Sequence, residues 1–302
     1  MLAVPNFSEG RDERLIERVA EAFGRAAGHG RPAPPGTLIL DRHSDAIHER
    51  SVLTLSGKPD ELVDSIVAGA RACSRLIDVF ERGGAHPRIG SLDVAPIVYL
   101  DSGERAGARA AALELAGLIG GLDIPAFLYG ELASTPEREE RAFFRHGGPR
   151  ELTRRMRARE LVADRGPQWP HPAAGATLIT ARPPLAAFNL LLDSPDAEIA
   201  REVAKRLREA GGGLPGVRAI GVDLAGRAQV SINVHDPIAV PLRGVVELVR
   251  ELASRHGARP YAAEIVGLIP EAAVEGFPAE VPIPGFDPER QLIERRLRAL
   301  GR

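Results

Sequence analysis

The apolar residues in the first half of the chain follow strand and helix spacings in turn. Leu15, Ile16, Val19 and Phe23 recur every three to four residues, which predicts an amphipathic helix, and a second such stripe runs over 62–80. An Ala-rich helix is predicted over 104–119, and a Pro/Gly-rich loop over 31–36. Short runs rich in strand-favouring residues predict strands at 4–7, 37–40, 51–55, 92–100 and 124–129. This half therefore reads βαββα, then an inserted loop and strand, then αβ.

The second half repeats the same kinds of element with little shared sequence. An apolar run at 186–192 predicts a strand, and Ser194 with Pro195 predicts the cap and first residue of a helix. A Pro-rich tail at 279–288 leads to a last amphipathic helix. The remaining predicted elements are helices at 199–207 and 242–252 and strands at 217–222, 229–234 and 262–269. This half reads βαββαβ.

Between the two halves lies a stretch, residues 136–184, in which the alternation of strands and helices lapses. A charged helical segment there gives way to DRGPQWPHPAAGAT, which is dense in Pro and Gly. We interpret this stretch as the connection between an N-terminal subdomain, 1–180, and a C-terminal subdomain with its tail helix, 181–302. The repeated element order predicts an α+β fold, an α/β sandwich of two ferredoxin-like units, with a ligand site in the cleft between them.

Composition limits the classes of protein to which the chain can belong. An apolar fraction of 44% and a charged fraction of 26% are typical of soluble globular proteins, and 302 residues suffice for two domains. A net charge of -2 disfavours nucleic-acid binding, and no apolar run reaches the ~18 residues of a membrane span. The single cysteine, Cys73, lies on the apolar stripe of its helix and has no partner for an internal disulfide. With no signal-peptide pattern at the start of the chain, we expect a cytoplasmic protein.

A stiff loop carrying one imidazole precedes the strand predicted at 92–100. Gly83 and Gly84 lead to His86 and Pro87, so a permissive backbone is followed by a residue of fixed φ, and the proline pushes His86 toward an extended conformation. The strand would hold this loop at the end of a sheet, where binding and catalytic side chains often lie. The pattern by itself is compatible with a catalytic histidine and with one that caps a turn.

The segment DRHSDAIHER, residues 41–50, raises the question of a metal site. If it is extended, Asp41, His43 and Asp45 share one face. No HExxH, paired cysteines or EF-hand pattern accompanies them, so we interpret them as hydrogen-bonded or substrate-contacting groups and expect no metal. The glycine triplet at 211–213 follows a predicted helix and precedes a strand, so it is placed to end the helix. Glycine loops that bind phosphates follow a strand and precede a helix, so this order disfavours a dinucleotide or triphosphate cofactor.

Seven sequence blocks together resemble the glutamate formiminotransferase family. In chain order they are VPNFSEGRD, GGAHPRIGSLDVAP, LYGE, DRGP, AFNLLL, AQVSINVHD and EIVGLIP. The resemblance implies two ferredoxin-like subdomains, with tetrahydrofolate and N-formimino-L-glutamate meeting in a tunnel between them, and a homodimer. It covers the formiminotransferase domain, without the cyclodeaminase domain of the animal members.

The resemblance also implies residues of the site. The family's catalytic histidine falls on His86 in the HPR motif. Its folate-binding segment falls on 166–175, where the middle differs from the animal pattern and the candidate folate contacts are Gly166, Pro167, Gln168, Trp169 and Gly175. A family Asn-Arg-Thr sequence corresponds here to Glu49, Arg50 and Ser51.

Further candidates follow from the chemistry of the substrates. Arg50 and Arg88 suit the carboxylates of the donor and of the folate, because a guanidinium binds a carboxylate through two hydrogen bonds. Asp45 and Asp93 are candidates for orienting His86 or the pterin, and Asn6 is a candidate for binding the substrate or the folate.

The implied reaction transfers the formimino group from N-formimino-L-glutamate to N5 of tetrahydrofolate, giving 5-formiminotetrahydrofolate and L-glutamate, in histidine degradation and one-carbon metabolism. His86 would serve as the general acid and base, since an imidazole can accept and donate a proton near neutral pH. Tetrahydrofolate is then a co-substrate, and a separate cyclodeaminase is a candidate to receive the product. Two alternatives stay open: formyl transfer between N-formylglutamate and tetrahydrofolate, and a folate-binding protein without turnover.

Overall fold

A computed structural model describes residues 1–26, 36–84 and 86–301, so most of the loop predicted at 31–36 lies outside the described residues. The chain divides into two compact units, Met1–Arg182 and Pro183–Arg302. None of the helices in the described parts of the chain is long and apolar enough to cross a membrane.

The first unit contains strands and helices in mixed order. Its strands are β1 (Leu2–Ala3), β2 (Asn6–Phe7), β3 (Arg25–Ala26), β4 (Leu38–Asp45), β5 (Arg50–Ser56), β6 (Leu92–Val98), β7 (Ala126–Leu128) and β8 (Thr177–Arg182). Its helices are α1 (Glu13–Phe23), α2 (Pro59–Leu76), α3 (Arg105–Gly120), α4 (Arg141–Arg145) and α5 (Gly148–Arg157). The helical spacings predicted from the sequence are confirmed for α1 and α3 and for 62–76 of the second stripe, whereas 77–80 lie beyond the end of α2.

The sheet of the first unit has a ferredoxin-like part and an extension. The strand order is β3-β4-β5-β1-β6-β8-β7, with β2 also pairing with β5 and β6. β4, β5, β1 and β6 are antiparallel neighbours, whereas β8 is parallel to β6 and β7 is parallel to β8. The sequence interpretation of 92–100 as an inserted strand is therefore wrong, because β6 itself closes the ferredoxin-like part. All seven residues of β6 are buried, as expected for a central strand covered on both faces.

The stretch 136–184 does not form a linker. It contributes α4, α5 and β8 to the first unit, and β8 lies inside the sheet between β6 and β7. Sequence reasoning missed this strand because a short apolar run after a Pro/Gly-rich loop carries little periodicity of its own.

The second unit has the ferredoxin-like strand order throughout. Its sheet runs β10-β11-β9-β12 with antiparallel neighbours. The helix α6 starts after Asp196, whose side chain accepts the backbone N–H of Glu198, so the predicted cap Ser194 and first helical residue Pro195 each lie two residues too early. The elements are β9 (Ala186–Leu192), α6 (Ala197–Leu207), β10 (Val217–Asp223), β11 (Ala228–Val234), α7 (Leu242–Ser254), β12 (Pro260–Ile265), α8 (Pro288–Gln291) and α9 (Ile293–Ala299).

Strand register assigns the polar candidates of the first unit to one face of its sheet. Leu53, Leu55 and Ile97 pack with the helices in the main apolar cluster. On the alternate positions, Asp45 pairs with Arg50 and Asn6 pairs with Val52. Paired residues of an antiparallel ladder point to the same face, so these polar side chains lie on the face away from α1, α2 and α3.

Candidate active site

His86 lies against the first residue of β5. Its Nε2 is 2.7 Å from Nη1 of Arg50. A guanidinium has donors only, so Nε2 accepts this hydrogen bond and the neutral imidazole carries its proton on Nδ1. The structure thus brings two predicted site residues, His86 and Arg50, into direct contact, and Arg50 donates a hydrogen bond to the basic nitrogen of His86.

Cationic groups surround this histidine. Burial, together with the positive charges of Arg50, Arg145 and Arg141, holds the pKa of His86 well below its ordinary value. Burial and the same neighbouring guanidinium groups lower the pKa of Arg50 to about 10, and burial lowers the pKa of Arg141. The site therefore holds a neutral imidazole in a positively charged environment, which attracts anions.

Helix α4 supplies the two arginines that the sequence analysis did not single out. Arg141, Phe144 and Arg145 share one face because they are three and four residues apart. Phe144 is fully buried against Phe127, and Arg145 donates a hydrogen bond to Asp93. The signal in the sequence was weak, because α4 is only five residues long and lies in the stretch interpreted as a linker.

Asp93 fixes the loop that carries His86. One carboxylate oxygen binds Arg145, and the other accepts the backbone N–H of Ile89 at 2.7 Å. The side chain is 2% exposed and makes no hydrogen bond to His86 among the described residues. Its position indicates that it orients His86 through the backbone, by tying the loop to α4.

Arg88 is directed into the loop rather than toward a ligand surface. Its guanidinium donates to the backbone oxygens of His48 at 2.9 Å, Glu49 at 3.3 Å and His86 at 3.3 Å. The side chain is 6% exposed, and burial lowers its pKa. These contacts indicate a bracing role, which leaves Arg50 as the better candidate of the two for binding a substrate carboxylate.

Glu49 joins the same turn to the glycines before His86. It has a positive φ of 47°, and its Oε2 accepts the backbone N–H groups of Gly83 and Gly84, each at 2.9 Å. Although burial acts to raise its pKa, those N–H groups and the charges of Arg11 and Arg88 lower it below the ordinary value. The β4–β5 turn and the His86 loop are therefore one connected structure.

Asp45 binds within the same turn rather than to His86. Its Oδ1 accepts the N–H groups of Ile47 and His48, and its Oδ2 lies 2.9 Å from Nδ1 of His48. Burial would raise the pKa of Asp45, but the contacts with His48 outweigh it and lower the pKa. The rings of His48 and His86 are 6.3 Å apart, edge to face. Sequence reasoning missed His48 as a site residue, although it lay in the run considered for metal binding.

The predicted folate segment packs beside the His86 loop. Ser91 N–H donates to Ala174 at 2.9 Å and Ala176 N–H donates to Ile89 at 3.1 Å. Gly175 has a φ of 67°, and a Cβ there would lie 2.2 Å from the oxygen of Ile89, so only glycine allows this approach. The segment and the catalytic candidate are thus held together by backbone contacts.

The side chains of the folate segment differ in availability. Trp169 is 65% exposed, whereas Gln168 binds both backbone groups of Ala163. Gly166 has a φ of 81° and Pro167 is half-buried. Asn6 is 9% exposed and donates to its neighbour Val4 at 2.8 Å. Of these candidates, Trp169 is the aromatic side chain that is exposed to solvent.

Within the described ranges, no group of three or more His, Cys, Asp or Glu side chains is arranged to hold a metal ion. Cys73 is fully buried in α2, and burial raises the pKa of its thiol.

Comparison with known proteins agrees with the sequence resemblance. The family model described as the formiminotransferase domain, N-terminal subdomain, matches residues 1–182, and the formiminotransferase domain model matches residues 187–276. Glutamate formimidoyltransferase of Streptococcus pyogenes serotype M1 is 33% identical over 298 residues, covering 97% of each chain. The protein of the same name from Thermoplasma acidophilum is 33% identical over 300 residues, 97% of this chain and 96% of that one. Formimidoyltransferase-cyclodeaminase of Mus musculus is 35% identical over 283 residues, 90% of this chain and 50% of that protein.

Proposed function

The chain belongs to the formiminotransferase family, and from this we propose that it transfers the formimino group of N-formimino-L-glutamate to N5 of tetrahydrofolate, with His86 as the acid–base group. The observation that carries the proposal is the 2.7 Å contact between His86 Nε2 and Arg50 in a cationic environment. It provides a neutral imidazole beside a binding place for a carboxylate.

The reaction forms a bond between N5 and the formimino carbon, breaks the bond between that carbon and the glutamate nitrogen, and moves a proton from N5 to that nitrogen. N5 attacks the formimino carbon and forms a tetrahedral centre, in which N5 carries excess positive charge. A base removes the N5 proton, the bond between carbon and the glutamate nitrogen breaks, and that nitrogen receives a proton. Because its pKa lies below the ordinary range, His86 is neutral at physiological pH and ready to accept the first proton.

Arg50 links donor binding to this base. In the free protein its guanidinium occupies Nε2 of His86, the nitrogen that must accept the proton. A carboxylate of the donor is a stronger acceptor for a guanidinium than a neutral imidazole is. Donor binding would therefore draw Arg50 onto the carboxylate and release the lone pair of His86, so that the base becomes available when the donor is present.

The folate half of the proposal rests on the segment at 166–175. Its backbone contacts place it next to the His86 loop, and Trp169 offers an exposed aromatic face for the flat pterin or benzoyl group.

The cellular setting belongs to the same proposal. We place the protein in the cytoplasm as a homodimer that serves histidine degradation, with a separate cyclodeaminase as acceptor of the product. The mouse relative is named for both activities, and this chain spans half of its length. Fractionation and analytical ultracentrifugation test the location and the dimer.

The experiment that tests the function is a transfer assay with purified protein. Tetrahydrofolate and N-formimino-L-glutamate should yield 5-formiminotetrahydrofolate, detected by mass spectrometry. N-formyl-L-glutamate is the matched donor, because it offers the same two carboxylates with a formyl group in place of formimino. Product from the formyl donor alone would overturn the assignment of the donor, and ligand binding without product from either would indicate a folate-binding protein.

A further inference from the structure

A second histidine beside His86 has no part in the mechanism above. His48 lies in the turn between β4 and β5, is only 5% exposed, and has its ring centre 6.3 Å from that of His86. Its Nδ1 lies 2.9 Å from Oδ2 of Asp45, whose Oδ1 accepts the backbone N–H of His48. The partly exposed Asp45 and the buried His48 thus form a carboxylate–imidazole pair next to the candidate base.

The other ring nitrogen of His48 argues against a purely structural role. Nε2 is closed to solvent and has no hydrogen-bond partner among the described residues. The contact at Nδ1 is enough to close the turn, and a buried nitrogen without a partner costs free energy. A carboxylate at Nδ1 fixes the tautomer of an imidazole and leaves Nε2 to exchange a proton, as in other acid–base sites.

The two imidazole rings directly contact groups of opposite charge: His48 contacts the carboxylate of Asp45, whereas His86 contacts the guanidinium of Arg50. Besides Asp45, His48 contacts Arg88 through its backbone oxygen, and the next residue, Glu49, is paired with Arg11. The charged groups near His86 are Arg50, Arg141 and Arg145. A directly bound carboxylate stabilises an imidazolium, whereas guanidinium groups stabilise the neutral ring. Placing two titratable groups in opposed environments is how one site provides both an acid and a base.

We propose that His48, oriented by Asp45, is the general acid of the transfer, while His86 is the base. Nε2 of His86 takes the proton of N5 after the bond between N5 and carbon forms. Nε2–H of His48 gives a proton to the glutamate nitrogen as its bond to carbon breaks. Transfer of the proton from His86 to His48 then restores the starting state, so protons balance over the cycle. The inference rests on the proposed function and names the group that activates the leaving nitrogen.

The test compares His48→Gln and Asp45→Asn with the wild type, with His146→Gln as the matched control on the exposed end of α4. Loss of the acid should lower kcat about 10²-fold in His48→Gln with little change in the KM for tetrahydrofolate. The fall of kcat at alkaline pH, where the acid loses its proton, should disappear in this variant. Added imidazole should restore part of its rate, and Asp45→Asn should show a smaller loss of kcat.

Three results would overturn the inference: a kcat per folded molecule equal to the wild type, an unchanged alkaline limb, or no rescue by imidazole in a variant with a normal melting temperature. If His48→Gln fails to fold, Asp45→Asn and nitrogen-15 NMR of the wild-type histidines carry the test. We expect a proton on Nδ1 of His48 and an Nε2 signal that moves when tetrahydrofolate and glutamate bind. An unresponsive Nε2 in a protein that transfers the group contradicts the inference alone, whereas a wild type that binds both ligands but transfers nothing contradicts the proposed function, on which the inference rests.

Discussion

Replacing Arg50 with methionine should move the pH dependence of the reaction in a direction that the structure fixes. The pKa of His86 is lowered by burial and then by the positive charge of Arg50, whose Nη1 is 2.7 Å from Nε2. Arg50→Met removes that charge and the hydrogen bond to the neutral ring. Both changes favour the imidazolium, so the pKa of His86 must rise.

The size of the shift follows from Coulomb's law. Two unit charges ~4 Å apart interact by about 4 kcal/mol at an effective dielectric constant of 20 and by about 1 kcal/mol in bulk water. At about 1.4 kcal/mol per pKa unit, loss of Arg50 should raise the pKa by between about 0.7 and about 3 units. Arg141 and Arg145 remain in the variant, and their positive charges should still hold the pKa of His86 below the ordinary value of a histidine.

The assay is kcat/KM for tetrahydrofolate between about pH 5 and pH 8, the range in which a histidine titrates. Since a protonated His86 cannot act as the base, kcat/KM should fall on the acid side, and this limb should lie at higher pH in Arg50→Met than in the wild type. Arg50→Lys keeps the charge and serves as the control, with a smaller displacement of the limb. A limb at the same pH in all three proteins would refute the role of Arg50 in setting the state of His86, and a limb that persists in His86→Asn would refute His86 as the base.

Three other predictions follow from the site and the core. Glu49→Gln should lower the free energy of unfolding by about 2 kcal/mol at pH 7, since it removes the charge that Arg11 and two backbone N–H groups contact. Because the folded-state pKa of Glu49 is lowered, this contribution is present above the unfolded-state pKa and is lost as the pH falls through the folded-state pKa. Urea titrations at several pH values should therefore show a smaller difference in unfolding free energy between wild type and variant in acid. A difference that stays constant with pH would contradict this prediction. Trp169→Ala should raise the KM for tetrahydrofolate without lowering the melting temperature, because the side chain is exposed; an unchanged KM would remove it from the folate site. Cys73 should react with a thiol reagent only as fast as the protein unfolds, because the thiol is buried and its pKa is raised, whereas rapid labelling under native conditions would contradict the packing of α2.

The regular parts of the fold could be predicted from local spacing. The stripes of α1 and α2 follow the helical period closely enough to assign both helices, and the second unit has the predicted βαββαβ order. The position of β6 between β1 and β8 could not be predicted, because strand order is decided by pairing between distant segments. The apolar run at 94–98 was the available signal, since such a run is typical of a central strand.

The candidate site was predictable only in part, for the same reason. The glycines and proline around His86 reveal a stiff loop, and the family resemblance identifies the histidine. The partners of that loop are far away in sequence: Gly83 binds Glu49, and Arg88 binds the backbone of His48. Spacing cannot show such contacts, so the sequence indicates neither the backbone contacts of Arg88 nor the position of His48 beside His86.

These long-range contacts bear on how the site keeps its geometry. The β4–β5 turn carries Arg50 and His48, and three contacts join it to the loop of His86. The carboxylate of Glu49 accepts the N–H of Gly83, the guanidinium of Arg88 donates to the backbone oxygen of His48, and Arg50 donates to His86. A strand end and a Gly-rich loop are each mobile when alone, but joined at several points they restrain one another. The distance between the candidate base and its partners therefore depends on groups that touch no substrate. Substitutions at Glu49 or Arg88 should accordingly reduce kcat more than they raise either KM, because they disturb the relative position of the reacting groups and leave the binding surfaces in place.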